Sequence, residues 1–106
     1  MNTEHIIVFV TTVNKAEAEK ISQSLLTERL IACANIINPV SSFFFWQGKI
    51  DRAEECLVVM KSRRDLFLEL AERLKKLHSY EVPEVLAVPI VEGSAAYLSW
   101  MREVLK

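Results

Sequence analysis

His78 and Cys33 are the side chains in this sequence best suited to hold a soft or borderline metal ion. His78 begins an irregular stretch that runs to Glu84, after a helical pattern and just before Tyr80. A neutral imidazole there could ligate copper or zinc through one ring nitrogen. The alternative is a loop histidine bonded to backbone, or a cation close to a helix C-terminus. Cys33 stands in the apolar run Ile31-Ala32-Cys33-Ala34. Its thiolate would suit copper(I), whereas free cysteine is more often a small buried hydrophobe. Cys56 has a similar strand setting. No Cys-x-x-Cys or His-x-x-x-His spacing occurs, so no closed metal site is visible. Any copper or other divalent cation would be a bound ion rather than an obligatory cofactor.

Catalytic patterns are missing. There is no Gly-rich phosphate loop, nucleophile elbow or metalloprotease helix, and no nucleophile–base pair stands out. The expectation is a protein that is not an enzyme.

The elements that must carry these residues follow from periodicity. Residues 5–13 are β-branched, aromatic and almost continuously apolar, as in a central strand covered on both faces. Asn14 offers an N-cap and Glu17 completes a capping-box pattern. Ala18, Ile21, Leu25 and Leu26 recur at helical spacing towards Arg29. Residues 31–47 read as extended, Gln47-Gly48 as a turn, and residues 49–61 as a further extended segment. Ser62 could cap a second helix with Asp65 in its first turn, and Phe67, Leu70, Ala71, Leu74 and Leu77 form its apolar stripe. Residues 85–91 make a fourth strand, placed at an edge or bulge by Pro89. After Gly93-Ser94, residues Tyr97, Leu98, Met101, Val104 and Leu105 fall on one side of a last helix.

The order β-α-β-β-α-β with a C-terminal helix predicts an α+β, ferredoxin-like single domain over residues 1–106. Two helices would cover one face of a four-stranded antiparallel sheet. The other face poses a problem. Phe43-Phe44-Phe45-Trp46 are consecutive, so alternation sends two aromatics to each face. The hairpin around Gly48 is also longer than a small sheet needs, and its edges invite pairing. A second copy of the chain would shelter both, with partial cover by the C-terminal helix as the alternative. Phe43, Phe44, Phe45 and Trp46 are therefore the expected oligomer interface.

Charge and hydropathy narrow the partners. A formal net charge of -1 gives no general field for a phosphate backbone, so nucleic acid is not expected. The first apolar run, Ile6 to Val10, is too short to span a bilayer, and no later run is longer than needed for a core. The N-terminal residues Met1 to His5 lack the basic start of a secretory signal. Two cysteines do not make a disulfide framework. The expectation is a soluble, cytoplasmic protein with free thiols. An acylphosphatase-like use of the fold needs an arginine-bearing anion loop after the first strand, and Thr11-Thr12-Val13-Asn14 has no arginine. An RNA-recognition use needs exposed aromatics spread over adjacent central strands, not one consecutive run.

Several segments together resemble the CutA divalent-cation-tolerance family. Glu28-Arg29-Leu30-Ile31-Ala32-Cys33-Ala34-Asn35 is similar to its L-A-A-C-A-N signature. Phe45-Trp46-Gln47-Gly48-Lys49 is similar to its Y-W-x-G-K hairpin, and Glu55 through Ser62 to its E-x-x-L-x-x-K-T strand. His78-Ser79-Tyr80-Glu81-Val82-Pro83-Glu84 resembles its H-P-Y-E-V-P-E loop, and Tyr97-Leu98-Ser99-Trp100 its Y-L-x-W.

The resemblance implies a homotrimer joined through long β-hairpins and a role in tolerance or binding of divalent cations, copper first. It implies that Trp46, Lys61, Tyr80 and Glu84 meet in a cleft between subunits. A lysine and a carboxylate among aromatics could hold a small anion or zwitterion there, or simply close the trimer as a salt bridge. It also implies an alternative function: a regulatory or scaffolding trimer, resembling nitrogen-regulatory PII proteins in architecture, that binds a small metabolite or a partner protein. Ser79 departs from the family's proline. Thr11 and Leu77 stand where some members carry copper-binding cysteine and histidine, so only His78 of that set carries over.

Overall fold

Alternation along His5–Thr12 builds the first strand, β1, in which Ile6, Val8, Val10 and Thr12 are buried and Ile7, Phe9 and Thr11 are half-buried. The structure, a computed structural model, describes residues 4–106. Met1, Asn2 and Thr3, part of the expected domain, lie outside the described residues. The elements after β1 are helix α1 (Lys15–Thr27), strands β2 (Cys33–Trp46) and β3 (Lys49–Arg63), helix α2 (Phe67–Leu77), strand β4 (Leu86–Pro89) and helix α3 (Ala95–Val104). The sheet order is β2-β3-β1-β4, and every pairing is antiparallel. This is the expected split βαβ arrangement. Pro89 lies in the edge strand β4 opposite Ile6, where its missing N–H costs no interior ladder bond.

Register defines two faces. Thr12, Val10 and Val8 pair with Cys56, Val58 and Met60, all buried under α1 and α2. Ala18, Ile21 and Leu25 of α1 and Leu70 and Leu74 of α2 complete this core. Burying each Val, Leu, Ile or Met among them contributes roughly 1.5–3 kcal/mol before entropy is counted. The opposite face carries Ile7, Phe9, Leu57, Val59, Cys33 and Asn35. β1 is thus central but dry on one face only. α3 spans part of this second face: Met101 and Leu105 are buried, and Tyr97 reaches Cys33.

Helix boundaries show where local chemistry differs from the sequence reading. Asn14 caps α1 by accepting the Glu17 N–H at 2.9 Å. Glu17 does not complete a capping box, since its carboxylate accepts from Val13 N–H at 2.9 Å instead. α1 ends in a Schellman pattern, with Leu30 N–H bonded to Leu25 O and Arg29 N–H to Leu26 O. Arg29 takes the left-handed position, φ 59°, that glycine usually fills. Ser62 does not cap α2. It stays in β3 and donates its hydroxyl to Leu30 O at 2.7 Å, while a 3-10 turn, Arg64–Leu66, leads into the helix. Asp65 pairs with Arg63 at 2.6 Å.

The β2–β3 arm turns at Gln47 and Gly48, with φ 51° and 80°, the positive pair of a type I′ turn. A bulge interrupts the ladder where Asn38 and Pro39 together face Cys56. Beyond it Phe43 and Phe45 lie on one side with Ile50, and Phe44 and Trp46 on the other. The helices were expected to cover one aromatic pair. They cover neither, because the arm projects past them: Phe43, Phe45 and Ile50 are 67%, 74% and 70% exposed, and Phe44 and Trp46 are 40% and 57%.

Candidate functional site

The irregular segment after α2 is held by its first residue. The His78 side chain is fully buried. Its Nε2 lies 2.7 Å from the carbonyl of Thr11, which can only accept, so Nε2 carries the proton. Its Nδ1 accepts the Tyr80 N–H at 3.0 Å. Both ring nitrogens are therefore used, and neither offers a lone pair to a metal. Glu17 Oε2 stands 4.0 Å from Nδ1 and accepts the Ser79 N–H at 2.7 Å. Burial works to raise the Glu17 pKa. The amide hydrogen bonds from Val13 and Ser79, with the nearby His78 ring, outweigh it and hold the carboxyl below its ordinary 4.5.

Tyr80 extends this network to the arm. Its hydroxyl donates to Glu55 Oε2 at 2.6 Å, and its ring leans on His78 with centroids 4.8 Å apart. Glu55 is 8% exposed, not the solvated hairpin charge that its neighbours Asp51, Arg52 and Glu54 suggest. Register explains this, since Glu55 shares the Leu57–Val59 side of β3 and lies where the arm leaves the body. Burial first, then the Glu55 carboxylate, push the Tyr80 hydroxyl up to about 12.

A second polar group lies on the face crossed by α3. Cys33 pairs in register with Lys61, and Lys61 Nζ sits 3.9 Å from Cys33 Sγ. Lys61 also donates to Asn35 Oδ1, which accepts from Cys33 Sγ at 3.7 Å. Burial, followed by Cys33, raises the Tyr97 pKa. Cys33 is the first residue of β2, and it is half-buried. An ammonium beside its sulfur disfavours a second cation there. Cys56 is buried and donates to Asn38 Oδ1 at 2.9 Å.

Within one chain, then, neither metal candidate fits an ion as arranged. Among the described residues no group of three or more His, Cys, Asp or Glu converges. The four expected cleft residues each have their own setting: Lys61 with Asn35 and Cys33, Tyr80 with Glu55, Trp46 beside the turn, and Glu84 exposed before β4. Phe43, Phe44, Phe45 and Trp46 form the exposed arm. Sequence reasoning missed Asn35, Glu55 and Tyr97 as partners, and Glu17 as more than a cap. The strand parity of Glu55 with Leu57 and Val59 was the available signal for that residue. No helix is long and apolar enough to cross a membrane among the described residues.

Comparison with known proteins places this geometry. Residues 6–104 match the sequence profile described as CutA1 divalent ion tolerance protein. The divalent-cation tolerance protein CutA of Thermus thermophilus is 41% identical over 97 residues, covering 92% of this chain and 94% of that protein. The chloroplastic protein CutA 1 of Oryza sativa subsp. japonica is 39% identical over 97 residues, and the match spans 55% of its length. The solved structure of the periplasmic divalent cation tolerance protein CutA from Archaeoglobus fulgidus has a TM-score of 0.94 at 38% identity, covering 96% of this chain and 99% of that chain. With its profile match running from β1 to the end of α3, this chain belongs to the CutA1 divalent ion tolerance protein family.

Proposed function

We propose that this chain works as a homotrimer, joined through its β2–β3 arms, that binds or responds to divalent cations, copper first. The observation that carries the assembly is the arm, with large apolar side chains exposed on both sides and two sheet edges, β2 and β4, unpaired. Family membership supports the cation role, and the resemblance supports the count of three. Because one chain has no convergent ligand group among its described residues, we place the cation sites between copies. His78 can join such a site only by releasing Thr11 O or the Tyr80 N–H. This reading involves no catalytic step, no nucleic acid and no membrane. Free Cys33 and Cys56 support a cytoplasmic setting, although the Archaeoglobus relative is described as periplasmic. The test is calorimetric titration of copper(II) into the wild-type protein and into a Phe45→Glu variant that dissociates. Binding lost on dissociation supports the proposal, and equal binding by both overturns the placement.

A second reading, a PII-like regulatory trimer, is favoured by Lys61, a cation beside Asn35 and Cys33 on the sheet face that carries Ile7, Phe9 and Val59. An anionic metabolite or a partner protein would be its ligand. A thermal-shift screen of anionic metabolites should give a hit that Lys61→Ala abolishes. A flat screen counts against it.

A further inference from the structure

We infer that Cys33 and Lys61 form an oxidation-operated cross-link, in which a sulfenic acid on Cys33 condenses with the Lys61 amine to give a sulfur–nitrogen bond. The inference is independent of metal binding and of either functional reading above. Cys33 and Lys61 are direct partners in the β2–β3 register, so their side chains leave the same face of the sheet. Lys61 Nζ stands 3.9 Å from Cys33 Sγ. Asn35, two residues further along β2 on that face, gathers the pair. Its Oδ1 accepts from Lys61 Nζ and, at 3.7 Å, from Cys33 Sγ. Cys33 is half-buried, so its sulfur is within reach of an oxidant as small as hydrogen peroxide.

A sulfenic acid ordinarily condenses with a second thiol. The fold withholds that partner within one chain. Cys56 lies five residues before Lys61 on β3, about 16 Å along the strand, and it is buried on the opposite, helix-covered face beside Thr12. Such a separation is beyond a disulfide. The Lys61 amine stands where a resolving thiol would otherwise be needed. In the first step the sulfur attacks one oxygen of hydrogen peroxide and the O–O bond breaks. Sulfur is oxidised by two electrons, and the departing hydroxide takes the thiol proton as water. In the second step Lys61 Nζ attacks the sulfur and the S–O bond breaks. Of the three protons on Nζ, one goes to solvent, one leaves with the hydroxide as water, and one stays. No further electrons move. Two equivalents of an external thiol return Cys33 and Lys61 to their starting forms. The product has lost the ammonium, so oxidation removes a positive charge from the sheet face crossed by α3 and ties the start of β2 to β3.

The test is titration of the full-length protein with hydrogen peroxide, followed by intact mass and by non-reducing tryptic mapping. Wild type should lose about 2 Da, regain it with dithiothreitol, and yield one peptide joined between Cys33 and Lys61. Trypsin should fail to cut after Lys61 in that product, because the free amine is gone. Lys61→Arg keeps a cation beside the sulfur but has no amine to condense. It should lose the cross-link and carry Cys33 on to the sulfinic acid, a gain of about 32 Da. Cys33→Ser should show neither product. Cys33 passing straight to sulfinic acid in wild type overturns the inference, and so does a disulfide between copies through Cys33. A 2 Da loss that persists in Lys61→Arg assigns the bond to a backbone nitrogen and overturns it as well. Should Lys61→Arg fail to fold, tryptic cleavage after Lys61 in the oxidised wild type decides alone.

Discussion

Tyr80 donates its hydroxyl to Glu55 across 2.6 Å, and this bond ties the segment after α2 to the root of the arm. Removing the donor leaves a buried carboxylate short of a partner. Tyr80→Phe should therefore lower stability by about 1–3 kcal/mol, measured by denaturant unfolding. The Tyr80 hydroxyl is pushed up to about 12, above its ordinary 10. A raised value means that its contribution is complete below pH 10 and is lost as pH rises through about 12. Absorbance titration of the phenolate, with Tyr80→Phe as reference, checks this. Ionisation of Tyr80 at the ordinary value would contradict it.

Glu17 should act in the opposite sense. Its carboxyl is held below 4.5 despite burial, so its contribution is present above pH 4.5 and fades as pH falls through the lower folded value. Glu17→Gln should cost about 1–3 kcal/mol at neutral pH, where charge-assisted bonds to Val13 and Ser79 are lost. The gap between wild type and variant should close in acid. Unfolding midpoints measured across pH check this, and a gap that stays constant into acid would contradict it.

Arg29 joins two helix ends. Its backbone closes α1 in the left-handed region, and its guanidinium donates to the carbonyls of Glu103, Val104 and Leu105 at the end of α3. Lysine cannot reproduce that fork. Arg29→Lys should loosen α3 by on the order of 1 kcal/mol, seen as faster amide exchange across Met101–Leu105 with the strands unchanged. Uniform protection in α3 would count against this role.

The turn of the arm makes a sharper demand. Gly48 has φ 80°, and a Cβ there would meet open space, so any penalty is conformational rather than steric crowding. Gly48→Ala should destabilise the fold by about 1–2 kcal/mol. Gln47→Asn, which suits φ 51° better, should stabilise it. Thermal unfolding of the two variants should move in opposite directions.

The element order was readable because composition and punctuation agreed: β1 is an almost unbroken β-branched and aromatic run, Asn14 and Ser94 cap, and Gln47-Gly48 turns. Family membership was readable from motifs spread along the chain. Ser62 misled because a hydroxyl that can cap a helix can equally satisfy a buried strand carbonyl, here that of Leu30. Glu55 was hidden because it stands in a run of charges with Asp51, Arg52 and Glu54, whereas its parity in β3 places it with Leu57 and Val59 at the root of the arm. The state of His78 depends on partners 67 residues away at Thr11 and on a loop amide, which local pattern does not encode.

If copies of this chain cover one another's arms, sedimentation of the dilute protein will read the assembly out. The expected particle has about three times the 12.2 kDa chain mass and is dissociated by Phe45→Glu. A folded, undissociating species of 12.2 kDa in the wild type would contradict it.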